Sequence, residues 1–336
     1  MAARRAPRLC TLTHTHKHIT AAISALFPTQ SIHHLPAPHD QVRPYASPPS
    51  RKAKNPPPYS EVFDLSQIPL SSVESVISRN GDSFQHLSPS EYYAVAQKFA
   101  AAIKRGSSPW AISTTGKDAV SADTFHTVAC IMRQISSKSA DAFATALWSS
   151  ASEMGYRPST LSLARQLIRS GAYSRIPQLR KVEARFKQLV AGGKDADALT
   201  AEGELLFEQG KHDAAVAMLR RALANKADFE WRPHCELCLG KALMRLGKAD
   251  EARGLLERLA DEGMVEADAE LAELARKGGL GVEELEQRLY TGGCNGRRDM
   301  FTRLSELALE KGSKKDGEGR LWALEWAKLA DSRVEY

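Results

Sequence analysis

From about Ser71 onward, apolar residues recur at the three- and four-residue spacing of amphipathic helices, and alternating β-branched runs are absent. Ser88-Pro89-Ser90-Glu91 predicts a helix start, with Ser88 as cap, Pro89 in the first turn and Glu91 reaching back. Its apolar stripe is Tyr92, Ala96, Phe99 and Ile103, and it ends near Gly106. A loop is expected over 107–118. Further helices are expected over 121–136, 141–154, 158–170 and 176–190, the first with Phe125, Val128, Ile131, Met132 and Ile135 on one side. The expected class is all-α.

The C-terminal half repeats itself. When Gly203 is aligned with Gly240, Leu199, Leu206, Gly210, Ala215, Leu219 and Ala222 fall on Glu236, Leu243, Gly247, Ala252, Leu256 and Leu259, with Glu236 opposite Leu199 and the two turn glycines opposite each other. A glycine in a first helix lets a second helix approach. Gly210 and Gly247 are expected to end the first helices, and Ala215 and Ala252 to seat the second ones. This pattern resembles the tetratricopeptide repeat. The spacing of 37 residues exceeds that repeat's usual period of about 34 and is closer to the Sel-one-like branch. Leu304 to Gly312 followed by Trp322 to Ala330 also resembles that branch. Between them, Val265 to Tyr290 reads as a degenerate unit.

The resemblance covers about 195–332. It implies helix-turn-helix repeats stacked as an α-solenoid, packed through Gly203, Leu206, Ala215, Leu219, Gly240, Leu243, Ala252, Leu256, Trp322 and Trp326. Residues 71–194 are expected to be divergent hairpins, and 195–336 the repeats proper. The function implied is that of an adaptor or assembly factor holding a protein partner, with respiratory-complex biogenesis as the example. Carboxylate-clamp members of the family hold a chaperone tail; the matching positions here are Thr200, Glu204, Leu237 and Lys241, and apart from Lys241 the clamp is missing.

Composition changes the picture mainly at the N-terminus. With 43% hydrophobic and 26% charged residues, the chain falls in the ordinary globular range. No stretch approaches the roughly 18 apolar residues of a membrane span, so no integral span is expected, while peripheral contact with an inner membrane stays open. Residues 1–45 hold five basic residues and one acid, Asp40, and are rich in Ser, Thr and Ala. That is the composition of a mitochondrial transit peptide. Arg43-Pro44-Tyr45-Ala46-Ser47 resembles a processing-peptidase site, with cleavage between Tyr45 and Ala46. The expected address is the matrix or the matrix face of the inner membrane. Most of the net charge of +6 lies in the leader, so the basic balance is largely a targeting property. A proline-rich, disordered linker is expected over 46–70.

Candidate chemistry is sparse. His234, Cys235 and Cys238 could supply three metal ligands, with Cys294 as a fourth, or the two cysteines a redox pair. The repeat alignment instead places them within a first helix, packing as core. No cofactor and no metal is expected, and no set of acid, base and nucleophile suggests an enzyme. The glycine-rich run Thr291 to Gly296 reads as an inter-helix loop. Within 157–194, Arg157, Arg165, Arg169, Arg175, Arg180, Lys181, Arg185, Lys187 and Lys194 are accompanied by one acid, Glu183. Arg165, Arg169, Arg175, Arg180, Lys181, Arg185 and Lys187 are therefore candidate partner contacts. The alternative function they suggest is an RNA- or ribosome-associated factor in mitochondrial gene expression.

Overall fold

The computed structural model describes residues 62–84, 86–112, 119–225, 228–278, 282–312, 317–331 and 333. The leader, the Tyr45–Ala46 bond and most of the proline-rich segment lie outside these residues. Fourteen α-helices and short 3-10 turns, with no strand, make up the regular structure of the described residues. No described helix is long and apolar enough to cross a membrane. The chain divides into two compact units between Gln188 and Leu189, six residues before the boundary that the repeat pattern suggests.

The first unit holds α1 (Leu70–Arg79), α2 (Pro89–Lys104), α3 (Ala122–Arg133), α4 (Lys138–Glu153), α5 (Arg157–Arg169) and most of α6 (Arg180–Gly192). It begins before the expected end of the linker at residue 70. Phe63 and Ile68 are fully buried, and Asp64 caps the 3-10 turn Leu65–Gln67. Phe63 meets Phe143 edge-on at 5.3 Å between ring centres, which pins this entry segment to the core. The capping box at α2 forms as expected: Glu91 N donates to Ser88 Oγ, and Ser88 N donates to Glu91 Oε2 at 2.7 Å. The expected 176–190 helix is shorter. Pro177, which has no amide hydrogen to give, opens a 3-10 turn over Pro177–Leu179, and α6 starts at Arg180.

Helix α4 is the centre of this unit. Every residue from Ser139 to Ser152 is buried, and ten of these fourteen are Ala, Ser or Thr. A helix with no solvent face must be surrounded, and small side chains let neighbours approach from all sides. Its hydroxyls find partners in the chain that wraps it: Ser149 donates to Trp110 O, Ser150 donates to Pro109 O, and Ile112 N donates to Ser150. Between α3 and α5, His126 Nδ1 lies 3.0 Å from Ser159 Oγ, and burial lowers the imidazole pKa from 6.5 to about 4.

The second unit holds α7 (Ala196–Glu208), α8 (His212–Leu223), α9 (Arg232–Arg245), α10 (Ala249–Asp261), α11 (Val265–Gly278), α12 (Val282–Cys294), α13 (Arg298–Gly312) and α14 (Gly317–Ala330). Each helix packs on the next, and α7 with α9, and α9 with α11, also touch directly, as in a helical-repeat solenoid. The alignment of Gly203 with Gly240 is physical. A β-carbon on Gly203 would stand 2.6 Å from Leu219 Cγ, and one on Gly240 would stand 3.1 Å from Leu256 Cγ. Ala215, Leu219, Ala252 and Leu256 are fully buried, Leu243 is buried, and Leu206 packs half-buried on the same core. Gly210 and Gly247 both adopt φ of +74°, beyond the ends of α7 and α9. The bonds that close these ends are the same: Lys211 N to Leu206 O with Gly210 N to Phe207 O, and Lys248 N to Leu243 O with Gly247 N to Met244 O.

Two expectations need correction in the last helices. Gly292 and Gly293 are not loop. They sit inside α12, where a β-carbon on Gly293 would meet the Phe301 ring at 2.7 Å, so the glycines again mark a close helix crossing. Trp322 is not a core residue: it is 53% exposed and meets Trp326 of its own helix. Ala323 is the buried residue of α14, and among the described residues nothing covers the face bearing Leu321, Trp322 and Leu324. Trp326 does pack, stacked on Phe301 at 5.9 Å and on Trp322 at 5.8 Å.

Gly203→Ala is expected to destabilise the second unit by about 1–3 kcal/mol, because overpacking outweighs the roughly 1 kcal/mol gained in helix propensity. Gly240→Ala should cost less, and Gly203→Ala combined with Leu219→Ala should cost less than the sum of the two single changes; urea unfolding checks both. A second expectation concerns His126. The unfolded chain binds a proton there below pH 6.5, whereas the folded state does so only near 4. Stability of the first unit should therefore fall as pH drops from 6.5 to 4, by on the order of 3 kcal/mol from this group. His126→Gln should flatten that limb of the stability–pH curve.

Candidate functional site

The repeats of the second unit present their first helices side by side, and the polar residues along that row are the candidate site. On α7, Asp197, Thr200 and Glu204 fall on one helix face, and all three are buried. Asp197 Oδ1 accepts from Trp231 N at 3.0 Å, at the start of α9. One turn on, Thr200 Oγ1 donates to Ala196 O of its own helix at 2.8 Å, and the Cys235 thiol donates to Leu219 O while burial pushes its pKa up to about 11. Another turn on, His234 Nε2 lies 3.1 Å from Glu204 Oε2 and 3.3 Å from Cys238 Sγ. His234 and Cys238 are four apart on α9 and so share its face.

The row continues past α9. Lys241 Nζ sits over the Phe207 ring of α7, 5.7 Å from its centre, and pairs with Glu270 of α11 at 3.4 Å. Arg297, at the start of α13, is held charged first by Asp299 at 2.7 Å and also lies in the field of Glu266 and Glu270. Glu204 and Lys241 each follow the crossing glycine by one position. Each reaches about thirty residues ahead, to His234 and Glu270. One position of the repeat thus links α7 to α9 and α9 to α11.

The metal candidates read from the sequence are rearranged. His234 and Cys238 come together, but Cys235 turns to the core, and Cys294 is exposed at the end of α12. Glu204 takes the third place. Sequence reasoning weighed it only as a clamp position, although its place beside Gly203 was the available signal. Of the matching clamp positions, Thr200, Glu204 and Leu237 are buried.

The basic stretch is less uniform than its composition. Glu183 is buried and accepts from Ser174 N at 2.7 Å, holding a residue with φ of +64°. Glu153, outside the stretch, pairs with both Lys181 and Arg185. Arg169, Arg175, Arg180 and Lys187 are exposed, and Arg165 is half-buried.

In comparisons with known proteins, no family model matches the chain and no curated protein matches it. Removing the α7–α9 link by Glu204→Ala should cost the second unit about 1–3 kcal/mol, since it strands buried polar groups. Glu251→Ala removes an exposed pair with Arg220 and should change stability by less than about 1 kcal/mol. Urea midpoints of the two variants test the contrast.

Proposed function

We propose that the chain is a mitochondrial adaptor or assembly factor of the tetratricopeptide-like, Sel-one-like kind, acting without catalysis to hold a protein partner during respiratory-complex assembly. The observation that carries this is the charged row across the first helices. Beyond the buried Glu204, the half-buried Lys241, Glu270 and Arg297 follow one another from α9 to α13, with alternating sign. A rigid surface of fixed alternating charge favours a partner segment with charges in the reverse order and disfavours others. The acid-poor leader supports the mitochondrial address, and the Arg43 to Ser47 segment supports removal of the leader at Tyr45–Ala46.

A second reading rests on Arg175, Arg180 and Lys187, which are exposed while the acid of their own segment is buried. They would bind RNA phosphates, together with Arg165 and Arg169.

The test is a crosslinked pull-down of the tagged protein from purified mitochondria, with and without RNase, reading the mature N-terminus by mass spectrometry. An adaptor recovers a few subunits of one complex whatever the RNase treatment. Recovery should fall at least about tenfold with Lys241→Glu plus Arg297→Glu. RNase-sensitive recovery of transcripts or ribosomal proteins, abolished by Glu at Arg165, Arg169, Arg175, Arg180 and Lys181, would replace the first reading with the second. A protein absent from mitochondria and retaining residues 1–45 would defeat both.

A further inference from the structure

Glu204, His234 and Cys238 are the one place among the described residues where three potential metal donors converge. Their ligand atoms all lie within 4.8 Å of one another. The separations of 3.1 Å from nitrogen to oxygen and 3.3 Å from nitrogen to sulfur are close to the edges of a tetrahedral zinc site. Bonds of about 2.0–2.3 Å at tetrahedral angles place such donors roughly 3.3–3.6 Å apart. The third separation, from carboxylate to sulfur, lies within 4.8 Å, and side-chain adjustment that closes it would seat an ion. The donor types are chemically apt as well: thiolate, imidazole and carboxylate together favour a borderline ion such as Zn2+ over Mg2+ or Ca2+.

Burial gives the second argument. Glu204 and Cys238 are each 6% exposed, so a carboxylate is held in a dry seam beside a thiol. A divalent cation would neutralise carboxylate and thiolate together. The His126–Cys130 pair on α3 has the same four-residue spacing, with the sulfur 3.6 Å from Nε2, but His126 Nδ1 goes to Ser159 and no carboxylate joins the pair.

We propose that Glu204, His234 and Cys238 bind one Zn2+ ion, which locks the first helix of one repeat to the first helix of the next. The ion would hold α7 and α9 in register through three protein donors and keep a fourth position on the half-buried His234 side. This goes beyond the adaptor reading and does not depend on it.

The test uses the full chain with Cys10→Ala, which removes the leader thiol, and Co2+ and Zn2+ as probes. The leader histidines can take up cobalt, but they give no thiolate signal. Wild-type ligands should bind one Co2+ with a thiolate-to-cobalt charge-transfer band and intense tetrahedral ligand-field bands. Zn2+ should displace it with a dissociation constant below about 1 µM. Cys238→Ser should abolish the band, and Cys235→Ala and Cys294→Ala should keep it. In parallel, Zn2+ should protect Cys238 from alkylation at least tenfold while exposed Cys294 reacts at its usual rate. That readout needs no variant and decides the matter if Cys238→Ser does not fold. The absence of a charge-transfer band, its persistence in folded Cys238→Ser, or the absence of Zn2+ protection would overturn the proposal and leave a hydrogen-bonded trio.

Discussion

The architecture of the second unit depends on two helices approaching more closely than a β-carbon permits. At Gly203 and again at Gly240, a leucine of the following helix occupies the space that a side chain would fill. The approach fixes where each hairpin crosses. It thereby fixes which residues of the first helix face the core, which face the next repeat, and where the left-handed glycines at 210 and 247 turn the chain. Gly293 against Phe301 uses the same device further along. Because the crossing is set by absent atoms, even a single added methyl group acts on the whole hairpin.

With the crossings fixed, the contacts between first helices can be polar. Asp197, Thr200 and Glu204 are buried along α7, and Asp197 and Glu204 each meet a partner at α9. Buried polar groups stabilise little when satisfied and cost much when they are not. Such a seam therefore contributes register more than stability. An apolar seam would tolerate a slip of one turn, whereas this one would strand Asp197 and Glu204. The same register sets the order of charges from Lys241 to Arg297.

Much of the fold was legible in the sequence because it obeys local rules. The Ser88 capping box, the helical stripes and the repeat glycines are each readable within a few residues, and each behaves as its chemistry requires. What was not legible depends on neighbours distant in the chain. Phe63 and Ile68 resemble linker residues until Phe143 is placed beside the former. Gly292 and Gly293 signal a loop by composition, yet the bulk of Phe301 and Met300 calls for helical glycines. Trp322 carries the signature of a core residue but lies on a face that no described element covers. At the candidate site, two of the three converging donors were visible as a helical pair, while Glu204 required knowing which repeat faces which.

The distribution of tryptophans gives the molecule separate optical reporters. Trp110 and Trp148 are enclosed in the first unit, Trp231 is buried at the start of α9, and Trp322 stands in solvent against Trp326. Emission from the first two belongs to a dry environment that disappears only when the chain around α4 opens. The Trp322–Trp326 stack is accessible to quenchers in the native state, and its close ring contact makes it sensitive to fraying of the last hairpin. Loss of order in one unit can thus be followed by colour and quenching while the other stays folded.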